Sequence, residues 1–329
     1  MSSKQGEFDA QSDVTRRELL KAGAIAASYG VSSTAFAADT GGKSAKDLTI
    51  GMATTDFRAL TNAQLARELA VEGIRVVQLF LTQTDSNYWK YNSRSDLSGL
   101  TADRCRQIAE TYRSRGLAIH SIGVYTNLSH PDPAERRANM AYFEAMMKVG
   151  AHMNVRTFIT EAGHFYAPDR PAPPVEYHFQ EDVWKMMVGV GRELAQMAER
   201  YDATVLFEPF YRHFFATAKR TRVYLDEVGS ARLRVLLDPA NLLEVNDLGE
   251  MFGQLGPRID CLHAKDRKLH VDRGVPAGQG DLDYVKFVTL AARHTPNAPL
   301  IIEYVGAKNY KQALAHLRQA IHLSAQSAD

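Results

Sequence analysis

The chain has 329 residues, of which 45% are hydrophobic and 23% are charged, and it contains two cysteines. This composition is typical of a globular protein and excludes a disordered chain, a collagen-like chain and a small fold held together by disulfides. Lys and Arg total 39 and Asp and Glu total 38, so the formal net charge is +1. The balance gives no electrostatic reason to expect nucleic acid or an anionic membrane as a partner.

Residues 1–37 have the features of an export signal. The pair Arg16-Arg17 precedes a weakly apolar run, which ends in small residues at the positions that a signal peptidase reads. Paired arginines are typical of a twin-arginine signal, which directs folded bacterial proteins to their own export machinery. We expect cleavage near Ala37, a linker over 38–47 and a periplasmic protein. The apolar run is shorter than the roughly 20 residues that span a bilayer, so no stable membrane anchor is expected.

From residue 48 onward, short apolar segments rich in β-branched residues alternate with amphipathic segments. The strand-like segments are 48–53, 74–81, 117–123, 154–160, 203–208, 233–238, 258–263 and 299–304. The helix-like segments are 61–72, 101–115, 133–150, 178–201, 217–229, 241–255, 281–294 and 309–323. This alternation indicates a parallel sheet, and the stretch 48–329 has the length of a single α/β domain that closes as a (β/α)8 TIM barrel. An open doubly wound sheet is the alternative, but no G-x-G-x-x-G turn follows the first strand.

Four ionisable residues stand at the carboxyl ends of the last four predicted strands. They are Glu208, Asp238, His263 and Glu303. Neighbouring strands lie about 4.8 Å apart, so the four side chains can meet at the mouth of a barrel. Three carboxylates held together would repel one another without a cation, and such an oxygen-rich set suits Mn²⁺, Mg²⁺ or Co²⁺, with Zn²⁺ also compatible. The pattern predicts one divalent metal ion, with Mn²⁺ as the first choice.

Five motifs resemble the sugar phosphate isomerase/epimerase superfamily of xylose isomerase-like barrels. They are Phe207-Glu208-Pro209, Leu237-Asp238-Pro239-Ala240-Asn241, His263-Ala264-Lys265-Asp266, Gly278-Gln279-Gly280-Asp281-Leu282-Asp283 and Ile302-Glu303-Tyr304. The resemblance covers the whole chain after the signal, and it is to the branch with ketose 3-epimerases, hydroxypyruvate isomerases and inosose dehydratases. It implies that the strand-end Glu, Asp, His and Glu together bind one divalent metal.

The resemblance also implies a reaction. The metal holds a carbonyl and a neighbouring hydroxyl of a sugar and stabilises an enediolate, while Glu208 and Glu303 exchange protons with the substrate. Epimerisation, isomerisation and dehydration share this arrangement. The sequence therefore favours a metal-dependent sugar isomerase or epimerase, and it leaves open a lyase or dehydratase acting on a keto-sugar or oxidised glycoside. A non-catalytic sugar-binding barrel also stays open, whereas a metal-dependent nuclease would need more histidines on the early strands than His120.

Six further residues are candidates for contacts with a sugar substrate. They are Glu161 and His164 after the fourth strand, Arg212 after the fifth, Asn241 after the sixth, Lys265 after the seventh and Trp89 in the long connection after the second. His213 is the alternative to Arg212. Trp89 offers a flat apolar face on which a sugar ring can stack. Asn241 stands where some members of the superfamily carry a histidine, so a polar contact with substrate is retained but not its proton chemistry. Many barrels of this family are dimers or tetramers, and a homo-oligomer is compatible with the sequence.

Overall fold

The structure is a computed structural model that describes residues 44–164, 175–271 and 274–326. The predicted signal peptide and residues 38–43 of the predicted linker lie outside the described residues. Ser44 caps a short 3₁₀ helix, Ala45–Asp47, and Ala45 packs into the core. The folded domain therefore includes the end of the predicted linker. Within the described ranges, no helix combines the length and the hydropathy that a transmembrane span requires.

Eight parallel strands close into a barrel. The strands of the structure are β1 (Ile50–Ala53), β2 (Val76–Leu79), β3 (Ala118–Gly123), β4 (Thr157–Thr160), β5 (Thr204–Phe207), β6 (Leu233–Leu237), β7 (Ile259–Arg267), β8 (Gly274–Pro276) and β9 (Leu300–Ile302). Each strand from β1 to β6 pairs in parallel with the next, and β9 pairs in parallel with both β7 and β1. These pairings confirm the predicted (β/α)8 TIM barrel and exclude the open sheet.

Helices alternate with the barrel strands. They are α1 (Asn62–Val71), α2 (Ala102–Arg113), α3 (Pro133–Met153), α4 (Glu181–Arg200), α5 (Ala218–Val228), α6 (Pro239–Leu242), α7 (Leu248–Leu255), α8 (Tyr284–His294) and α9 (Tyr310–Gln326). Thr101 and Asp132 cap α2 and α3 by accepting hydrogen bonds from backbone N–H groups, and Pro133 occupies the first turn of α3. Capping residues therefore set the starts of these helices.

Two elements differ from the sequence prediction. The predicted helix over 241–255 is two helices, because Asp238 caps α6 and Asp247 provides a second cap for α7. The predicted seventh strand over 258–263 continues to Arg267, and its extension pairs antiparallel with β8 to form a hairpin beyond the barrel. The polar composition of residues 265–267 conceals this extension in the sequence, although all three residues are buried.

The alternation of side chains along the strands divides the core into two layers. One layer fills the barrel interior and draws one residue from each barrel strand or from the residues just after it: Ala53, Phe80, Tyr125, Ile159, Leu206, Leu236, Cys261 and Ile301. The other, larger layer contains strand residues of opposite parity, such as Phe207 and Leu237, together with residues of the helices. Because strand side chains alternate between faces, a residue two positions after an inward-facing residue also points to the barrel axis.

Candidate metal centre at the mouth of the barrel

The structure brings the four predicted strand-end residues together. Each follows an inward-facing residue by two positions, in the pairs Leu206 and Glu208, Leu236 and Asp238, Cys261 and His263, and Ile301 and Glu303. Each of the four offers one ligand atom, and these atoms lie within 4.8 Å of one another. Strand parity therefore explains why residues from four strands meet at one point.

His263 stands at the centre of this cluster. Its Nδ1 lies 3.3 Å from Glu208 Oε1, 3.4 Å from Glu303 Oε2 and 3.8 Å from Asp238 Oδ2. Its Nε2 lies 2.6 Å from Oε1 of Gln78 on β2. When Nε2–H donates to Gln78, Nδ1 of the neutral imidazole carries a lone pair. That lone pair faces the three carboxylates, where a metal would lie.

Three ligand atoms of the cluster make ion-pair contacts but no hydrogen bonds, which fits a bound cation. Asp238 Oδ2, His263 Nδ1 and Glu303 Oε2 are buried and make no hydrogen bond of acceptable geometry. Asp238 Oδ1 accepts a hydrogen bond from the backbone N–H of Ala240 and so caps α6, which leaves Oδ2 facing the cluster. Three carboxylates with one imidazole are a ligand set that hard divalent cations prefer.

The pKa shifts in the cluster also favour a bound cation. Burial lowers the pKa of His263, but Glu303 and Glu208 outweigh burial and raise that pKa to about 10. Burial raises the pKa of Glu208. Burial also favours protonation of Asp238, but the charges of Lys265 and His263 hold its pKa at about 2. The surroundings therefore stabilise positive charge at this point, as a metal-binding site must.

Lys265 and Asn241 lie beside the cluster. Lys265 Nζ is 2.5 Å from Asp238 Oδ2 and 3.2 Å from Glu303 Oε2, and it donates a hydrogen bond to Asn241 Oδ1 at 3.0 Å. Asn241 Nδ2 donates a hydrogen bond to Glu208 Oε1 at 2.9 Å. Two of the six predicted substrate residues are thus in contact with the predicted metal ligands.

Asp266 organises the loop that carries the predicted Gly-x-Gly-Asp motif. Its carboxylate accepts hydrogen bonds from the backbone N–H groups of Gly278 at 3.1 Å, Gly280 at 3.0 Å and Leu282 at 3.0 Å. A Cβ atom on Gly280 would collide with this carboxylate and with the backbone of Arg267. The motif therefore holds a loop against the β7–β8 hairpin next to the site.

A cavity of about 440 Å³ opens above the cluster. Its size is in the range of about 300–1,000 Å³ that is usual for small-molecule sites. Of the six predicted substrate residues, five line it: Trp89, Glu161, His164, Asn241 and Lys265. Arg212 is exposed and lies over the ring of Tyr211 at 5.2 Å, and it is its neighbour His213 that lines the cavity.

Three residues of the site were not among the predicted site residues. They are Gln78, Tyr91 and Tyr125. Tyr125 donates a hydrogen bond to Glu208 Oε2. Tyr91 donates to Glu161 Oε2 at 2.7 Å, and His213 Nδ1 lies 3.3 Å from the same oxygen. Strand parity could have identified Gln78, whereas Tyr91 lies in a loop with no periodic signal.

Comparison with known proteins places the fold in a family. Residues 64–320 match the family model described as xylose isomerase-like TIM barrel. A probable L-ribulose-5-phosphate 3-epimerase from Mycoplasma pneumoniae is 25% identical over 136 residues, which cover 39% of this chain and 44% of that protein. The aligned part thus spans less than half of that relative.

Two solved structures share the fold at low sequence identity. A probable 3-DHS dehydratase from Bacillus anthracis superposes with a TM-score of 0.66 and 17% identity, over 82% of this chain and 98% of that one. A 3-keto-D-glucoside 4-epimerase from E. coli superposes with a TM-score of 0.64 and 16% identity, over 83% of this chain and 99% of that one. The family match, the closed barrel and the strand-end cluster agree, and this chain belongs to the xylose isomerase-like TIM barrel family.

Proposed function

We propose that the protein is a divalent-metal-dependent sugar isomerase or epimerase, in which Glu208 and Glu303 move a proton at a carbon next to a carbonyl group. The observation that carries the proposal is the cluster of three carboxylates and one histidine that opens into a cavity with polar and aromatic walls. Similarity to an epimerase of L-ribulose 5-phosphate and to an epimerase of a 3-keto-glucoside supports a substrate of the carbohydrate class.

Glu208, Asp238, His263 and Glu303 would hold one divalent ion, with Mn²⁺ as the first choice and Mg²⁺, Co²⁺ or Zn²⁺ as alternatives. When bound, the ion supplies a Lewis acid for the carbonyl and hydroxyl oxygens of the substrate. Gln78 fixes the ring of His263 through Nε2, so that Nδ1 keeps its direction toward the ion.

The two glutamates have the position that proton transfer needs. Glu208 and Glu303 line the cavity, whereas Asp238 and His263 are fully buried behind it. Asn241 and Tyr125 both donate hydrogen bonds to Glu208, which keeps its carboxylate in one orientation. General acid–base catalysis by two carboxylates so placed contributes about 10²–10⁴-fold each to the rate.

The remaining cavity residues would bind and orient the sugar. Lys265 and Asn241 present polar atoms beside the cluster, and Trp89 presents a ring, packed edge-on against Phe80 at 5.3 Å, on which a sugar can stack. Glu161 and His164 contribute to the cavity wall. A substrate contact by Arg212 stays a prediction, since the described conformation places that side chain over Tyr211.

A lyase or dehydratase is the second candidate function. The same abstraction of a proton next to a carbonyl, followed by loss of a β-oxygen substituent, would release water or an aglycone. Structural similarity to a 3-DHS dehydratase favours keeping this candidate. Product mass separates the two, because isomers and epimers keep the mass of the substrate and eliminated products do not.

Metal-dependent turnover of sugars tests the proposed function. The chain is stripped of metal, reloaded with Mn²⁺ and incubated with ketoses and 3-keto-glycosides, and the products are analysed by NMR. We expect conversion that needs the metal and falls by about 10²-fold or more in Glu208→Gln and in Glu303→Gln. If both variants keep full metal-dependent conversion, the mechanism is wrong, and if sugar binds without turnover, the protein is a binding barrel.

We also propose that the twin-arginine machinery exports the protein and that it acts in the periplasm after cleavage near Ala37. The support is the Arg16-Arg17 pair and the small residues before the cleavage point. Sugar phosphates are scarce in that compartment, so the substrate would be a non-phosphorylated sugar or keto-sugar derivative. Assembly into a homo-oligomer stays a prediction.

A further inference from the structure

We propose that Glu161, His164 and His213 form a second divalent metal site in the same cavity, with a preference for Zn²⁺. One ligand atom of each side chain lies within 4.8 Å of the other two. All three residues line the cavity, and none belongs to the strand-end cluster. The proposal therefore goes beyond the proposed function and can hold or fail independently of it.

The backbone places these side chains independently of one another. Glu161 directly follows β4 and has the inward parity of Ile159. The backbone N–H of His164 donates to Asn92 Oδ1 at 3.1 Å, and its carbonyl oxygen accepts from Asn127 Nδ2 at 2.7 Å. These bonds fix the loop without using any atom of the three side chains, as expected for a preorganised ligand set.

His213 provides the observation that points to a ligand. Its side chain is 9% exposed, and its Nδ1 makes no hydrogen bond of acceptable geometry, although Glu161 Oε2 lies 3.3 Å away. That oxygen already accepts a hydrogen bond from the hydroxyl of Tyr91 at 2.7 Å. A buried polar atom without a hydrogen bond is costly, and a cation between the imidazoles and the carboxylate would engage it.

The two imidazoles lie close enough together to bind one cation between them and Glu161. The rings of His164 and His213 are stacked with centroids 5.0 Å apart, so two imidazolium ions would repel each other.

The ligand set favours a different ion from that of the strand-end cluster. Two histidines and one glutamate are a set that binds Zn²⁺ and leaves a coordination position open, whereas three carboxylates and one histidine suit harder ions. The open position would face the cavity and take a hydroxyl or carboxylate oxygen of a small molecule. Contact of Glu161 and His164 with a sugar would then be made through the ion.

Metal stoichiometry tests the second site without any activity assay. The full chain is stripped with a chelator, loaded with excess Zn²⁺, freed of unbound metal by gel filtration and analysed for zinc, with circular dichroism to verify folding. We expect about two zinc ions per wild-type chain and about one in His213→Gln and in Glu161→Gln. His152→Gln removes an exposed histidine of α3 and should leave the content at the wild-type value.

Asp238→Asn separates this proposal from the proposed function. Asp238→Asn should bind one zinc ion fewer than the wild type, because it weakens the strand-end cluster. The ion at Glu161, His164 and His213 should stay bound in this variant. A wild-type chain with a single ion that is lost in Asp238→Asn but retained in His213→Gln overturns the second site and leaves the proposed function intact. A single ion lost in His213→Gln but retained in Asp238→Asn supports the second site and contradicts the metal centre of the proposed function.

Discussion

Gln78 shows how the site depends on a residue far away in the chain. It is separated by 185 positions from His263, whose Nε2 lies 2.6 Å from its side-chain oxygen. Glu208 and Glu303 were predictable, because each directly follows an apolar strand whose parity fixes the direction of the side chain. A hydrogen bond between two interior side chains leaves no such pattern in the sequence. Tyr91 was not predicted either, because loop conformation has no period.

Replacing Gln78 should therefore weaken metal binding while leaving all four ligands in place. We expect Gln78→Leu to reduce Mn²⁺ affinity by about 10–100-fold, because the ring of His263 loses the acceptor that fixes its orientation. The measurement is a competition titration against a chelator of known affinity. Gln83→Leu is the matched control, since Gln83 is equally buried but donates to the backbone oxygen of Thr54 at 2.8 Å. Equal affinities in the two variants would contradict the role given to Gln78.

At the scale of elements, the alternation of apolar and amphipathic segments and the capping residues predict most of the strands and helices. Thr101 and Asp132 mark helix starts that the structure contains. The β7–β8 hairpin was missed, because Lys265 and Asp266 are polar and their burial depends on partners elsewhere. Asp266 is buried because three backbone N–H groups of the following loop donate to its carboxylate.

A side chain at Gly280 should destabilise the loop of residues 278–282. We expect Gly280→Ala to lower the free energy of unfolding by about 1–3 kcal/mol, because the added Cβ overlaps Asp266 and the backbone of Arg267. Gly189→Ala, with open space around its position in α4, should instead raise it by about 0.5–1 kcal/mol. Urea unfolding followed by circular dichroism measures both. A neutral result for Gly280→Ala would show that the loop can rearrange.

At the scale of the whole molecule, the barrel was predictable and the reaction was not. Eight alternating strands and helices have few arrangements that bury all their apolar faces, and the missing G-x-G-x-x-G turn favoured the closed sheet over the open one. One arrangement of metal, two glutamates and a keto-sugar supports epimerisation, isomerisation and elimination alike. The choice depends on how a sugar lies in the cavity, which strand parity does not encode.

Metal binding should stabilise the whole fold, because the four ligands come together only in the folded chain. With free Mn²⁺ at about 100 times its dissociation constant, we expect a gain of about 2.7 kcal/mol in the free energy of unfolding. Thermal unfolding with Mn²⁺ and with a chelator measures the gain. Asp238→Asn should lose most of it, and an equal gain in that variant would place the stabilising ion elsewhere.

Export should depend on the paired arginines. We expect replacement of both Arg16 and Arg17 by Lys to leave the uncleaved chain in the cytoplasm, because the export receptor reads the pair. Cell fractionation, with N-terminal sequencing of the wild-type periplasmic form, measures the outcome, and cleavage after Ala37 is expected. Periplasmic recovery of the doubly substituted chain at the wild-type level would contradict the proposed route.

The most direct test of proton transfer by Glu208 and Glu303 is turnover in D₂O. The metal-loaded protein is incubated with ketoses and 3-keto-glycosides, and deuterium in the products is located by NMR. We predict deuterium at one carbon next to the carbonyl in a product with an unchanged carbon skeleton. Incorporation should be about 10²-fold slower, or slower still, in Glu208→Gln and in Glu303→Gln. Conversion without deuterium at any carbon, or incorporation at the wild-type rate in both variants, would contradict the account.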